Sequence, residues 1–456
     1  MKKFFHLHKI PLLLVFSSLL FYASFAYDLQ RTDLVKLFGL YFGLFFLSWK
    51  FMILEKRNFW FLAGTAILFR LAFLGALPNL SQDFYRFIWD GRMLAEGLNP
   101  YLSVPADFLG HTPGPVNQAK VLITGMGSLS SFNHTSYPPL NQWFFTLAAI
   151  LAGKSIWGSV IIMRIIIIAA DIGILYFGKK LLEDLKLPPH RIFWFILNPF
   201  VIIELTGNLH FEGVMLFFLI WSIYLLKKNR WIFSAVVFGL SVLLKLLPLI
   251  FLPLLFWFFI RRNSEGKMTG IGKLAFYYLI VGLVVFAGFL PFLSSGSIMN
   301  FSSSISLWFQ KFEFNASIYY LIREIGYWMK GYNVIGTVGK ILPVVVFLFI
   351  CGFALYRKNK TIVEMITAFL FAVSVYLFLS TTVHPWYLAT PLLLSIFTRF
   401  RFPLVWTLVV VLSYASYVGP NFHEHLYVVA IEYLIVFGVL IIEVFFPKKI
   451  KFKLTV

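Results

Sequence analysis

The sequence has little charge and almost no sulfur chemistry. Of its 456 residues only 13% are Asp, Glu, Lys or Arg, against 60% hydrophobic. A soluble globular protein cannot hold that balance in water, so lipid is the expected solvent. The lone cysteine, Cys351, lies in an apolar run; no internal disulfide is available, which disfavours redox chemistry and cysteine-ligated metal. Acidic residues are scarcer than basic ones, 19 Asp and Glu beside 39 Lys and Arg, for a net charge of +20. The basic residues stand in short clusters between apolar spans, where they set membrane orientation, and not in the stripes that bind nucleic acid. Internal repeats, low-complexity tracts and a recognisable soluble domain are absent too, so residues 1–456 read as a single membrane domain.

What the chain does have is apolar runs of roughly 17 to 25 residues, each long enough to cross a hydrocarbon core. They predict an all-α integral membrane protein, a polytopic bundle of about fourteen transmembrane helices. The first span, residues 9–27, follows Lys2 and Lys3 and ends in Ala23-Ser24-Phe25-Ala26, which also resembles a signal-peptide cleavage site. Either way Tyr27 ends outside, Lys56-Arg57 lies inside, and a span over 59–77 exits again. Arg70 within that span needs a partner facing the bundle. Residues 78–155 then form a large, partly helical external loop. Clusters at Lys179-Lys180, Lys227-Lys228-Arg230, Arg261-Arg262, Arg357-Lys358-Lys360, Arg399-Arg401 and Lys448-Lys449 all belong inside, as do both termini. For this to hold, residues 138–153 lie along the outer interface, and 231–260 cross twice around a turn at Lys245, helped by Pro248 and Pro253.

On this map the outward segments are 78–155, 207–213, the Lys245 turn, 294–333, 381–386 and 420–426, and most of the polar residues of interest fall there. Soon after a span comes Ser81-Gln82-Asp83-Phe84-Tyr85-Arg86-Phe87-Ile88-Trp89-Asp90-Gly91-Arg92. Asp83 and Asp90 share one face if the segment is helical. Two carboxylates at the mouth of a span point either to a reaction site or to solvated acids paired with Arg86 and Arg92. Glu96-Gly97-Leu98-Asn99-Pro100-Tyr101 follows, and Ser136-Tyr137-Pro138-Pro139-Leu140 closes the loop. Gly97 can end a short helix, while Asn99-Pro100 and Pro138-Pro139 impose extended or turn geometry, so the loop is expected to be folded.

This series of motifs resembles the GT-C superfamily of glycosyltransferases. It is most similar to bacterial polyprenol-phosphate-mannose-dependent mannosyltransferases and more distantly to the GPI mannosyltransferases. The match covers the first loop and reaches weakly through Asn198-Pro199, Asn208-Leu209-His210-Phe211-Glu212-Gly213, Leu244-Lys245 and His384-Pro385-Trp386-Tyr387. The resemblance implies a polyprenyl-phosphate-linked sugar donor, a glycan, glycolipid or protein acceptor, and an active site on the outer face of a bacterial plasma membrane. It makes Asp83 the catalytic base. Many relatives carry two adjacent acids where this chain has Gln82-Asp83, which leaves a divalent metal an open matter.

The chemistry asks for the same parts. A base takes the acceptor proton, a cationic clamp holds the departing phosphate, and direct displacement inverts the anomeric centre. Asp83 is expected to stay ionised beside Arg86. Lys245, Arg323 and His384 are the candidate clamp, although each also reads as a snorkelling, solvated or interfacial residue. Trp386 and Tyr387 suit a sugar ring or a membrane belt. His210 and Glu212, on a turn flanked by Gly207 and Gly213, are expected to face the same cavity. Residues 294–333, with Lys311, Asn315, Tyr319, Tyr320 and Arg323, are expected to line a lipid groove, and Asn315-Ala316-Ser317 is a glycosylation sequon. Arg86, Asp90, Arg92 and Tyr101 complete the candidate substrate-binding set. Arg164 and Asp171 share a helix face and read as a structural charge site. The competing reading is a secondary transporter or lipid flippase, with Glu204 and Lys245 as transport residues.

Overall fold

In hydrocarbon each backbone polar group has to be satisfied within its own segment, and the apolar runs of this chain accordingly fold as helices. The computed structural model describes residues 8–110, 114–262, 267–418 and 422–446. Lys2, Lys3, Lys448, Lys449 and Pro420 lie outside them. Among the described residues there is no strand, only an isolated parallel bridge between Phe314 and Thr382.

Among the described residues, seven helices are long and apolar enough to cross a membrane: Lys9–Asp28, Leu34–Glu55, Ile156–Asp184, Met268–Phe292, Ile335–Tyr356, Ile362–Leu379 and Leu426–Phe445. The broken pair Val201–Gly207 and Glu212–Lys227 makes an eighth if counted as one span. Phe59–Leu71, Trp231–Val242, Leu247–Ile260 and Phe402–Tyr417 are apolar but shorter. The polytopic, all-helical expectation is therefore met, whereas fourteen full-length spans are not seen. Hydropathy overlooks interruptions. Leu247–Leu255 winds as a 3-10 helix around Pro248 and Pro253, and Val410–Tyr417 also tightens to 3-10 geometry, so neither stretch continues as one regular helix.

The chain divides into two compact units. The first comprises Met1–Leu80, Ile167–His210 and Pro385–Val456; the second comprises Ser81–Ile166 and Phe211–His384. In the first unit, Arg70 finds the partner its position demands. Its Nε donates to Asp171 Oδ2 at 2.6 Å and its guanidinium also reaches the Ile196 carbonyl at 2.8 Å, all of it buried. Asp171 is thus paired with an arginine of another helix, and a buried pair held this way is costly to break from one side. Tyr41 and Trp406 donate to the Thr407 carbonyl and to Glu432, at 2.6 and 3.1 Å.

The second unit is organised around the loop expected to be folded. A helix Asp83–Ala95 ends before Gly97, whose φ of +75° suits a residue without Cβ. It packs on a helix Pro139–Ala152. Phe87 stacks on Phe145 with centroids 4.6 Å apart, and Phe211 stands edge-on to Phe145 at 5.2 Å. Gly91 lets the two helices approach this closely, since a Cβ there would sit 2.2 Å from the Phe145 carbonyl oxygen.

Candidate functional site

The site in the second unit is built by helix ends that satisfy one another. The Pro139–Ala152 helix starts with free backbone N–H groups, and the Trp231–Val242 helix stops with free carbonyls just before Lys245. Leu140 N–H donates to the Leu243 carbonyl at 3.1 Å, and the Asn141 side-chain amide donates to the Leu244 carbonyl. This mutual capping sets Lys245 beside Tyr137. The expected break at Lys245 is present, with Leu247–Leu255 following it.

Asp83 is the first residue of its helix and is half-buried. Tyr137 Oη donates to Asp83 Oδ2 at 3.3 Å. Lys245 Nζ lies 4.9 Å from the centroid of the Tyr137 ring and forms an ion pair with Glu212 Oε1 at 2.9 Å. Two acids, one cation and one phenol therefore converge. Burial lifts the Asp83 carboxyl above its ordinary value, the Lys245 charge and the Tyr137 hydrogen bond pull it back, and the Glu212 charge pushes it up further.

Arg86 does not serve Asp83 in the way the sequence suggested. Its Nε binds Asp90 Oδ1 at 2.7 Å, and its Nη1 donates to the carbonyls of Ser130 and Asn133 at 2.7 and 2.8 Å. The i, i+4 spacing on one helix face favours that pair, and Asp83, three residues before Arg86, looks to Lys245 instead. Asp90 is fully buried and accepts a second bond, from Gln142 Nε2 at 3.2 Å. Arg92 donates to the carbonyls of Asn117 and Lys154, at 2.5 and 2.9 Å. These three side chains tie the loop together.

The Gly-Leu-Asn-Pro-Tyr motif docks onto the segment after residue 290. Asn99 donates to Ser297 Oγ at 3.1 Å, and Asn300 donates to the Tyr101 carbonyl at 2.9 Å. Tyr101 is buried, and its hydroxyl donates to the Tyr137 carbonyl at 2.7 Å. Its ring faces Phe292 and Phe301 and lines an apolar cavity of about 480 Å³ bounded by Leu249, Leu252, Val285 and Phe289.

His384 reaches the same unit through the Phe314–Thr382 bridge, where Phe314 N–H donates to the Thr381 carbonyl at 3.2 Å and Val383 N–H to the Phe314 carbonyl at 2.8 Å. Its ring is packed against Phe314, Phe312 and Trp308, with centroids 5.1, 5.8 and 5.8 Å away. Burial first and the Lys245 charge second push it down to about 3. It is therefore a neutral hydrogen-bonding group at physiological pH and not the cation suggested by its sequence position. Asn315, next to the bridge, is fully buried in left-handed backbone with φ of +47°, a conformation asparagine tolerates. Arg323 spends its charge on Glu313 and Glu324, at 2.6 and 3.0 Å.

His210 and Glu212, expected to face one cavity, fall in different units. In the first unit His210 stacks on Trp386 with centroids 3.7 Å apart, and its Nδ1 lies 2.8 Å from the Glu204 carbonyl. Among the described residues no three His, Cys, Asp or Glu side chains gather into a metal-binding group. Sequence reasoning passed over Tyr137 and Gln142. Tyr137 stands in the Ser136-Tyr137-Pro138-Pro139-Leu140 motif, but nothing local indicates that its hydroxyl turns toward residue 83.

Comparison with known proteins places the chain in a family. Residues 17–261 match a family model described as alpha-(1->6)-mannopyranosyltransferase, N-terminal domain. Alpha-(1->6)-mannopyranosyltransferase A of Corynebacterium glutamicum is 24% identical over 367 residues, covering 72% of this chain and 69% of the relative. Its namesake from Mycobacterium tuberculosis is 22% identical over 205 residues, covering 45% of this chain and only 38% of the relative. The B enzyme of C. glutamicum is 26% identical over 147 residues, or 31% of this chain and 23% of the relative. Because the family model matches more than half of its residues, this chain belongs to the alpha-(1->6)-mannopyranosyltransferase family.

Proposed function

We propose that the protein is a membrane mannosyltransferase that moves a mannosyl group from a polyprenyl-phosphate donor to an acceptor hydroxyl on the extracytoplasmic side, with Asp83 as general base. The observation that carries this reading is the convergence of Asp83, Tyr137, Lys245 and Glu212 within one helical unit. Asp83 takes the acceptor proton as the acceptor oxygen bonds to the anomeric carbon. The bond from that carbon to the phosphate oxygen breaks, and its electron pair leaves with the phosphate. Lys245 meets the growing negative charge, and His384, uncharged, donates or accepts a hydrogen bond there. The apolar cavity beside Tyr101 suits the prenyl chain. Direct displacement inverts the anomeric centre, so an α product, the configuration in the relatives' names, requires a β-linked mannosyl phosphate.

Asp83→Asn tests the reading. Transfer from a short-chain polyprenyl-phosphate mannose to an alkyl α-mannoside is expected to fall by about 10²- to 10⁴-fold. Undiminished transfer removes Asp83 from the chemistry. Movement of a lipid or solute across the membrane without sugar transfer favours a flippase or transporter.

A further inference from the structure

We infer that Tyr137 is a positioning residue for this reaction, its hydroxyl orienting the Asp83 carboxylate and its ring coupling that carboxylate to Lys245. The inference rests on Asp83 being the base. Three sets of restraints hold Tyr137 in place. Its carbonyl accepts from Tyr101 Oη at 2.7 Å and from Gln142 Nε2 at 3.4 Å. Gln142 is itself held by Asp90, which Arg86 grips at 2.7 Å. The ring meets Phe87 edge-on at 4.9 Å and Phe145 at 5.8 Å. Pro138 and Pro139 follow directly and fix the exit of the backbone, Pro138 sitting at φ −64° and ψ 165°.

With carbonyl and ring both fixed, the hydroxyl is delivered to Asp83 Oδ2 at 3.3 Å, and the second carboxylate oxygen is left to meet an acceptor hydroxyl. A neutral phenol donating to a carboxylate favours its charged form, which is the form a base requires. The ring face also offers Lys245 a cation–π contact at 4.9 Å, which together with its ion pair to Glu212 keeps the cation beside the base. Arg86, Asp90, Gln142 and Tyr101, besides tying the loop together, all contribute to aiming this phenol.

Tyr137→Phe keeps the ring, its packing and the Lys245 contact while deleting the hydroxyl. With the same short-chain donor and alkyl mannoside, kcat is expected to fall about ten- to a hundredfold, the loss of a hydrogen bond to a charged group, with KM for the donor unchanged. The acid limb of the kcat/KM profile is expected to move upward by about one pH unit. In an Asp83→Asn background the same substitution is expected to cost nothing more, because a residue acting through Asp83 has nothing left to orient. A limb that stays in place, a rise in KM at constant kcat, or an additive loss in the double variant overturns the inference. Should Asp83→Asn alone leave transfer intact, the assignment of Asp83 as the base fails and not merely the role of Tyr137.

Discussion

At the scale of single residues, the environment of Asp83 sets a pH dependence whose sign is fixed by geometry. Burial and the Glu212 charge raise its pKa, so the proton stays on to a higher pH than it would on an exposed aspartate. A base must lose that proton before it can act. Activity is therefore expected to decline as pH falls through a value above the ordinary carboxylate range, and kcat/KM measured across the acid range reads this limb directly. Lys245→Met sharpens the argument, since it removes the charge that does most to hold the Asp83 pKa down and leaves Glu212 without its ion pair. The expected outcome is an acid limb shifted further upward together with a fall in kcat of about 10²- to 10³-fold, the usual cost of deleting one electrostatic stabiliser. An unshifted limb would place Lys245 outside the field of the base. Both residues were legible in the sequence, because an acid after a span and a lysine breaking an apolar run are anomalous in lipid. The charge states of their neighbours were not. That Arg86 would serve Asp90, or that aromatic rings would enclose His384 and keep it neutral, depends on tertiary packing.

At the scale of elements, the Asp83–Ala95 and Pro139–Ala152 helices act as one part. Gly91→Ala would put a Cβ 2.2 Å from a backbone oxygen of Phe145, and no side-chain rotation relieves that contact. The helices must separate, at a cost of about 1–3 kcal/mol. The same shift carries Asp83 away from Tyr137. Gly91→Ala is therefore expected to lower the thermal midpoint in detergent and to lose transfer with it, whereas Gly64→Ala, with nothing within 4 Å of its Cβ, serves as the neutral control. Full activity with a lowered midpoint would show that the site tolerates helix separation. The elements themselves could be read from punctuation. Gly97 ended the first helix as expected, Pro138-Pro139 opened the second, and Lys245 with Pro248 and Pro253 marked a break. The bonds from Leu140 and Asn141 to the carbonyls before Lys245 join residues about a hundred positions apart, and no local pattern announces them. In the turn at 207–213, where adjacency in sequence suggested a shared cavity for His210 and Glu212, the boundary between the two units falls between His210 and Phe211.

At the scale of the whole molecule, composition gave the all-helical, polytopic fold class, while the fourteen crossings it suggested stand beside fewer helices long enough to span. Among the described residues, seven helices long and apolar enough to cross, one broken pair and four short apolar helices carry the hydropathy that a window reads as fourteen crossings. Orientation rests on charge alone, and the single cysteine makes it measurable. Cys351, partly exposed on the Ile335–Tyr356 helix, can be replaced by Ser to give a thiol-free background. Glu96, Arg57 and Lys228 are all exposed, and each can then carry the only thiol in the chain. The positive-inside rule puts Arg57 and Lys228 in the cytoplasm, while Glu96 follows the Asp83 helix on the opposite side. A membrane-impermeant maleimide added to intact cells is expected to label Glu96→Cys at once, and Arg57→Cys and Lys228→Cys only after the membrane is opened. The reverse pattern would move Asp83 and Lys245 to the cytoplasmic face. A base on that side would meet nucleotide-linked sugars in place of a flipped lipid phosphate, so the side of the membrane on which residue 96 reacts bears directly on the class of donor.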